Sequence, residues 1–155
     1  MIETLCDLLK QKDKKILFVG LGNILKNDDG VGVYISRRIK QTPEISVLTA
    51  EVSIENYIGK INSSKPDILV FIDCAEMHSA PGTCELFPVN RIHDITFNTH
   101  NISLKRLSDF FAMPLYILGI QPLSIDFGEN ISYLVKDVAN KIVHSIINWE
   151  VYYGR

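Results

Sequence analysis

The chain has 155 residues, 46% of them hydrophobic, and a formal net charge of -2. That length suits one domain spanning 1–155, and the hydrophobic fraction supports a real core and excludes disorder as the dominant state. The slightly negative balance offers no chain-wide basic field to nucleic acid or an anionic membrane. Lys10, Lys12, Lys14 and Lys15 form only a local cluster, interrupted by an acid and lacking aromatics, as at a solvated helix end.

Ile2, Leu5, Cys6 and Leu9 have helical spacing, which predicts a short amphipathic helix over 2–11. Lys15 to Gly20 reads as a buried strand, broken by Gly20, Gly22 and Asn23. Asp28-Asp29 then opens a helix to about Lys40, where acids suit the unpaired N–H groups and positive dipole end of a first turn. A strand over Ile45–Ala50 and a helix over about 54–61 follow. Asp67 to Asp73 is the clearest strand, with the unbroken apolar centre of one covered on both faces. Pro81-Gly82 turns the chain into a strand over Thr83–Pro88, and Phe97 to Asn101 forms a polar loop. Ser103 caps a helix bearing Leu104, Leu107 and Phe111 on one face. Leu115–Ile120 is another apolar strand, stopped by Gln121-Pro122, and the last helix covers about Asn130–Tyr152.

This alternation predicts an α/β fold: a three-layer α/β/α sandwich around a mostly parallel twisted sheet of about five strands. Ligands bind such sheets beyond the carboxyl ends of the strands. Asp29 follows the first strand and Asp73 closes the third, so parallel strands bring both carboxylates to one rim.

The longest unbroken apolar run, Ile68 to Ile72, is far too short to span a membrane. Cys6, Cys74 and Cys84 form no CxxC pair, which argues against a zinc knuckle or dithiol site. With no secretory leader visible, they point to the reducing cytoplasm. Simple burial is the reading for Cys74 and Cys84, with Cys74 on the strand face opposite Asp73.

Gly20-Leu-Gly-Asn-Ile-Leu25 is half a dinucleotide fingerprint, but Leu25 stands where the third glycine belongs. The two aspartates beyond it repel a pyrophosphate. The glycines instead suit a sharp turn that lays the loop across the strand end. Asp28 and Asp29 are equally suited to capping a helix, one capping while the other faces outward. Asp73, ending an apolar strand, is partly desolvated and needs a partner or a cation. His100 lies among Asn98, Thr99 and Asn101, a setting that fits a metal ligand or proton carrier. His93 and His144 read as surface residues, and His78, in the turn after Asp73, is the reserve candidate. Two carboxylates and an imidazole suit a borderline divalent ion with positions left open for substrate or water.

The run from Gly20 to Gly32, GLGNILKNDDGVG, resembles the G-x-G-N-x-L-x-x-D-[DE]-G-x-G signature of hydrogenase maturation proteases. Phe71 to Ala75 resembles the family's second acidic motif, and Pro81-Gly82 its following turn. Thr99 to Leu104 is similar to the histidine motif of the branch serving formate-hydrogenlyase and related archaeal-type hydrogenases, and Gly119 to Pro122 matches a further element. The resemblance runs from about residue 15 to the C-terminus, leaving 1–14 as an N-terminal helical extension that serves as a docking surface or a cover for a sheet edge. Where many members carry a glycine-rich segment after the second strand, this chain has Ala50 to Glu55, and Glu51 is placed to line the cleft.

The resemblance implies an endopeptidase of aspartic type. It removes the C-terminal extension of a nickel–iron hydrogenase large-subunit precursor, its partner, after nickel insertion. The nickel is carried by the substrate as a recognition element, and a recognition-only nickel would leave the resting enzyme empty until substrate arrives. The implied ligand and catalytic positions are Asp29, Asp73 and His100, with Asp29 replacing the glutamate of some members. The implied state is a cytoplasmic monomer. Water activation by an aspartate and Lewis-acid activation by the nickel both fit these residues. Two alternatives use the same features: a non-catalytic nickel-sensing or chaperone module, and a peptidyl-tRNA hydrolase, whose chain also opens with Val-Gly-Leu-Gly-Asn. The latter lacks its Pro-Gly and Thr-Arg-His-Asn segments here and sits poorly with a negative chain.

Overall fold

Alternate residues of the central strands face opposite ways, and both faces are buried. In β1 (Ile16–Leu21) and β3 (Ile68–Cys74) every residue is buried, as the continuous apolar runs require. In this computed structural model, which describes residues 3–11, 13–91, 97 and 103–149, they lie inside a five-stranded sheet. Its order is β2-β1-β3-β5-β4, with β2 at Ile45–Glu51, β4 at Cys84–Pro88 and β5 at Leu115–Ile120. All pairings are parallel except β4 with β5. The predicted mostly parallel sheet is therefore correct, with one antiparallel edge.

Helices cover both faces, which completes the three layers. Phe18, Val70 and Ile72 pack with α1 (Glu3–Leu9), α2 (Val31–Ser36) and α5 (Tyr133–Ile147). Leu17, Val19, Leu69 and Phe71 pack with α3 (Ile58–Ser64) and α4 (Leu104–Leu107). Phe111, predicted on the α4 face, lies just beyond that helix and meets Phe71 edge to face at 5.6 Å between ring centroids. Within the N-terminal segment, Leu5, Cys6, Leu8 and Leu9 of α1 are buried. No helix among the described residues is long and apolar enough to cross a membrane.

The structure shortens the predicted helices. The segment expected to be helical from Asp28 to Lys40 is a 3-10 turn, Asn27–Gly30, followed by the six residues of α2. Its end tightens as Arg38 N–H bonds the Ile35 carbonyl at 3.0 Å, a common way to satisfy terminal carbonyls. The helix expected at 54–61 likewise begins as a 3-10 turn, Ile54–Tyr57, and α3 stops at Lys65, which takes the left-handed conformation before Pro66. Ser103 caps α4 as expected, accepting the Arg106 N–H at 3.2 Å. His144 is exposed, as predicted; His93 lies outside the described residues.

Helix α2 sits unusually close to the sheet. A Cβ on Gly32 would stand 2.1 Å from the Ile72 carbonyl and 2.3 Å from that of Leu21, at the ends of β3 and β1. One on Gly20, which lies inside β1 rather than breaking it, would stand 2.1 Å from Ser36 Oγ of α2. Gly32→Ala must push α2 off two central strands, and denaturant unfolding should show a loss of about 1–3 kcal/mol or more. Gly59→Ala in α3, where an added Cβ meets nothing within 4 Å, should instead gain about 0.4–1 kcal/mol.

Candidate active site

The loop after β1 is shaped by Gly22, whose φ of 131° belongs to glycine. Its N–H bonds the Glu51 carbonyl at 3.0 Å, tying the loop to the end of β2. A Cβ at this position would lie 1.9 Å from the Asp29 carbonyl oxygen and 3.6 Å from Asp73 Oδ1. Gly22 thus lies between the main chain of Asp29 and the carboxylate of Asp73. Asp29 and Asp73 are both fully buried at the carboxyl-end rim. The strand-end reading of the sequence placed them correctly.

Each carboxylate is oriented by the backbone. Asp29 Oδ2 accepts the Asn23 N–H at 2.9 Å, and Asn23 Oδ1 accepts the Leu25 N–H at 2.9 Å, folding the loop as an Asx turn. Asp73 Oδ1 accepts the Cys74 N–H at 2.8 Å. Cys74 packs with α1, α2 and α5, on the sheet face opposite Asp73, as strand alternation required.

Neither aspartate of the pair caps its own helix, contrary to the capping reading. Asp28 reaches across the molecule to the segment after β5. Its Oδ2 accepts Leu123 N–H at 2.8 Å, Ser124 N–H at 3.2 Å and the Ser132 hydroxyl at 2.8 Å, and its Oδ1 accepts Ser132 N–H at 2.6 Å. It is buried and structural. Its neighbour Asp29 turns instead to the Asn23 N–H of the glycine loop. Nothing local in the sequence announces this division, because the partners of Asp28 lie 95 to 104 residues away.

Gln121, read in the sequence only as a strand stop, is buried and organises the loop after Asp73. Its Oε1 accepts Met77 N–H at 2.7 Å, and its Nε2 donates to Glu76 Oε2 at 2.9 Å. That bond, followed by the one from His78 N–H, holds the Glu76 carboxyl below its usual range. His78, the reserve candidate, is exposed, with its imidazole 3.8 Å from Glu76. His100 lies outside the described residues. Among those described, no group of three His, Cys, Asp or Glu side chains is arranged to hold a metal. Glu51, expected near the cleft, ends β2 beside Gly22, and its side chain turns to Arg37 at 3.4 Å.

A sequence model of the hydrogenase maturation proteases, of HycI type, matches residues 30–149. The chain belongs to the hydrogenase maturation protease family. The matched span contains Asp73 and His100 and begins just after Asp29. A Methanocaldococcus jannaschii protein named as a hydrogenase maturation protease is 32% identical over 95% of this chain and 94% of its own. The hydrogenase 3 maturation protease of Escherichia coli is 26% identical over 84% of this chain and 87% of its own. The crystal structure of a [NiFe] hydrogenase maturation protease HycI from Thermococcus kodakarensis superposes with a TM-score of 0.82 at 25% identity, covering 94% of this chain and 97% of that one. The family assignment replaces the peptidyl-tRNA hydrolase alternative. It makes the chain a protease.

Negative charge converges on this rim, and Cys74 registers it. Burial pushes its thiol far above the usual range, and the charges of Asp73, Asp29 and Asp28 push it further. Burial alone dominates at the partly exposed Cys84, pushed up to about 12. Both groups stay protonated in the folded protein while an unfolded thiol ionises near 9.0. Their contribution to stability is complete below that pH and is lost as pH rises from 9 towards 12. In a thiol titration at pH 8, the native protein should react slowly, and all three cysteines should react once it is unfolded. Asp28→Ala leaves three part-buried N–H groups without their acceptor and should cost about 1–3 kcal/mol by denaturant unfolding.

Proposed function

We propose that this protease removes the C-terminal extension of a nickel–iron hydrogenase large-subunit precursor after nickel has been inserted. The observation that carries the reading is a pair of fully buried aspartates, Asp29 and Asp73, in a chain of this family, with the Asp29 main chain and the Asp73 carboxylate both against Gly22. Concentrated negative charge with little water is unfavourable by itself and is relieved by a cation. The cation is the nickel of the substrate, engaged by Asp29, Asp73 and His100. Carboxylate and imidazole donors suit such a borderline ion.

Engagement fixes the precursor so that its scissile peptide lies against the rim, which supplies the proximity part of catalysis. An aspartate of the pair then takes a proton from water as it adds to the peptide carbonyl, and returns it to the leaving amine. The reaction is aspartic-type hydrolysis with the metal as recognition element. Without nickel the precursor lacks the group that seats it. The enzyme works as a monomer in the cytoplasm, where such precursors are assembled.

Mass spectrometry of the precursor C-terminus tests the reading. Incubation of the nickel-loaded precursor with the native chain should give one cut, and nickel-free precursor should stay intact. Asp29→Ala, Asp73→Ala and His100→Ala should each lower the rate by about 100-fold or more. Binding of the loaded precursor with no change in its mass would sink the protease reading and leave a nickel-sensing or chaperone role.

A further inference from the structure

Large apolar side chains stand exposed at one corner of the carboxyl-end rim. Leu25 is 44% exposed, Leu123 60%, Phe127 86%, Tyr133 82% and Leu134 50%. They are spread along the chain, yet one backbone junction gathers them. Gly128 N–H donates to the Leu25 carbonyl at 2.8 Å, and Asn27 N–H returns to the Gly128 carbonyl at 2.7 Å, which sets Phe127 beside the loop of Leu25. The Asp28 carboxylate holds Leu123 N–H at one end of the same segment and Ser132 N–H, just before Tyr133, at the other. Single exposed apolar residues are ordinary; a group of them fixed on one anchored junction marks a contact surface.

The corner adjoins the acid pair, because Asp28 anchors it and Asp29 is the next residue. Exposed Asp126 and Glu129 flank Phe127. Lys26, bridged to Gly128, stands among them, so the corner is an apolar patch with mixed charge at its edge. Its place beside the acid pair suits a partner whose chain is cut there and whose apolar face has charges of both signs at its rim. We infer that this corner docks the folded body of the precursor large subunit while its C-terminal extension runs to Asp29 and Asp73. The inference rests on the function proposed above and adds a binding anchor separate from the nickel. Aromatic residues on a preorganised loop suit that task, since little ordering is lost on contact.

The test compares the native chain with the double variant Leu123→Ser, Phe127→Ser, using the nickel-loaded precursor as probe in interferometry and cleavage assays. The Kd should rise about tenfold or more, with an unchanged melting midpoint. The kcat at saturating precursor should stay within about twofold. A Kd that stays within about twofold of native overturns the inference. So does a native dimer in sedimentation that the variant dissolves while precursor affinity is unchanged. Should the double variant not fold, Tyr133→Ser, at the exposed start of α5, carries the same comparison. Phe127-dependent binding with no cut by the native chain would keep the docking surface and defeat the protease reading; cutting with a Kd indifferent to Phe127 and Tyr133 would do the reverse.

Discussion

Main-chain oxygens occupy the space that side chains at residues 22 and 32 would need. The carbonyls of Leu21 and Ile72 stand against Gly32, and that of Asp29 stands against Gly22. This close packing lets α2 descend onto the ends of β1 and β3 and folds the 3-10 turn before it back over the sheet. The Asp29 main chain and the Asp73 carboxylate, from a 3-10 turn and from β3, consequently share Gly22 as a neighbour. Backbone contact of this kind yields little to side-chain adjustment, so the site is held by the same atoms that hold the core. The carboxylates are positioned by packing first and by hydrogen bonds second.

The two adjacent aspartates show how one sequence motif serves two ends. Asp28 spends all its capacity on N–H and O–H donors of residues 123–132, while Asp29 turns the other way onto the glycine loop. Turned the other way, Asp28 would leave residues 123–132 without their anchor.

Much of the fold was legible in residue patterning. The unbroken apolar runs of β1 and β3 identified the central strands, and the alternation of elements gave the layers. The rule of strand carboxyl ends placed Asp29 and Asp73 on one rim. Helix lengths were overestimated because apolar periodicity continues through 3-10 turns such as Ile54–Tyr57, where hydrogen bonding differs but burial does not. Gly20 was read as a turn-maker, whereas it serves close approach, as does Gly32, and that depends on partners in other elements. Asp28 and Gln121 were misread for the same reason: their bonds reach residues about 100 and 44 positions away, and no local pattern records such distances.

The Asp28 anchor also bears on the order in which the molecule is completed. Contacts between residues separated by 95 or more positions form late, because closing so long a loop costs entropy before the contact is gained. During synthesis, β1, the acid pair and β3 emerge well before the segment that Asp28 must hold. A nascent chain can therefore build much of its sheet while Asp28 still lacks the groups that hold it. The turn bearing the two aspartates is then fixed only once residues 123–132 have been made.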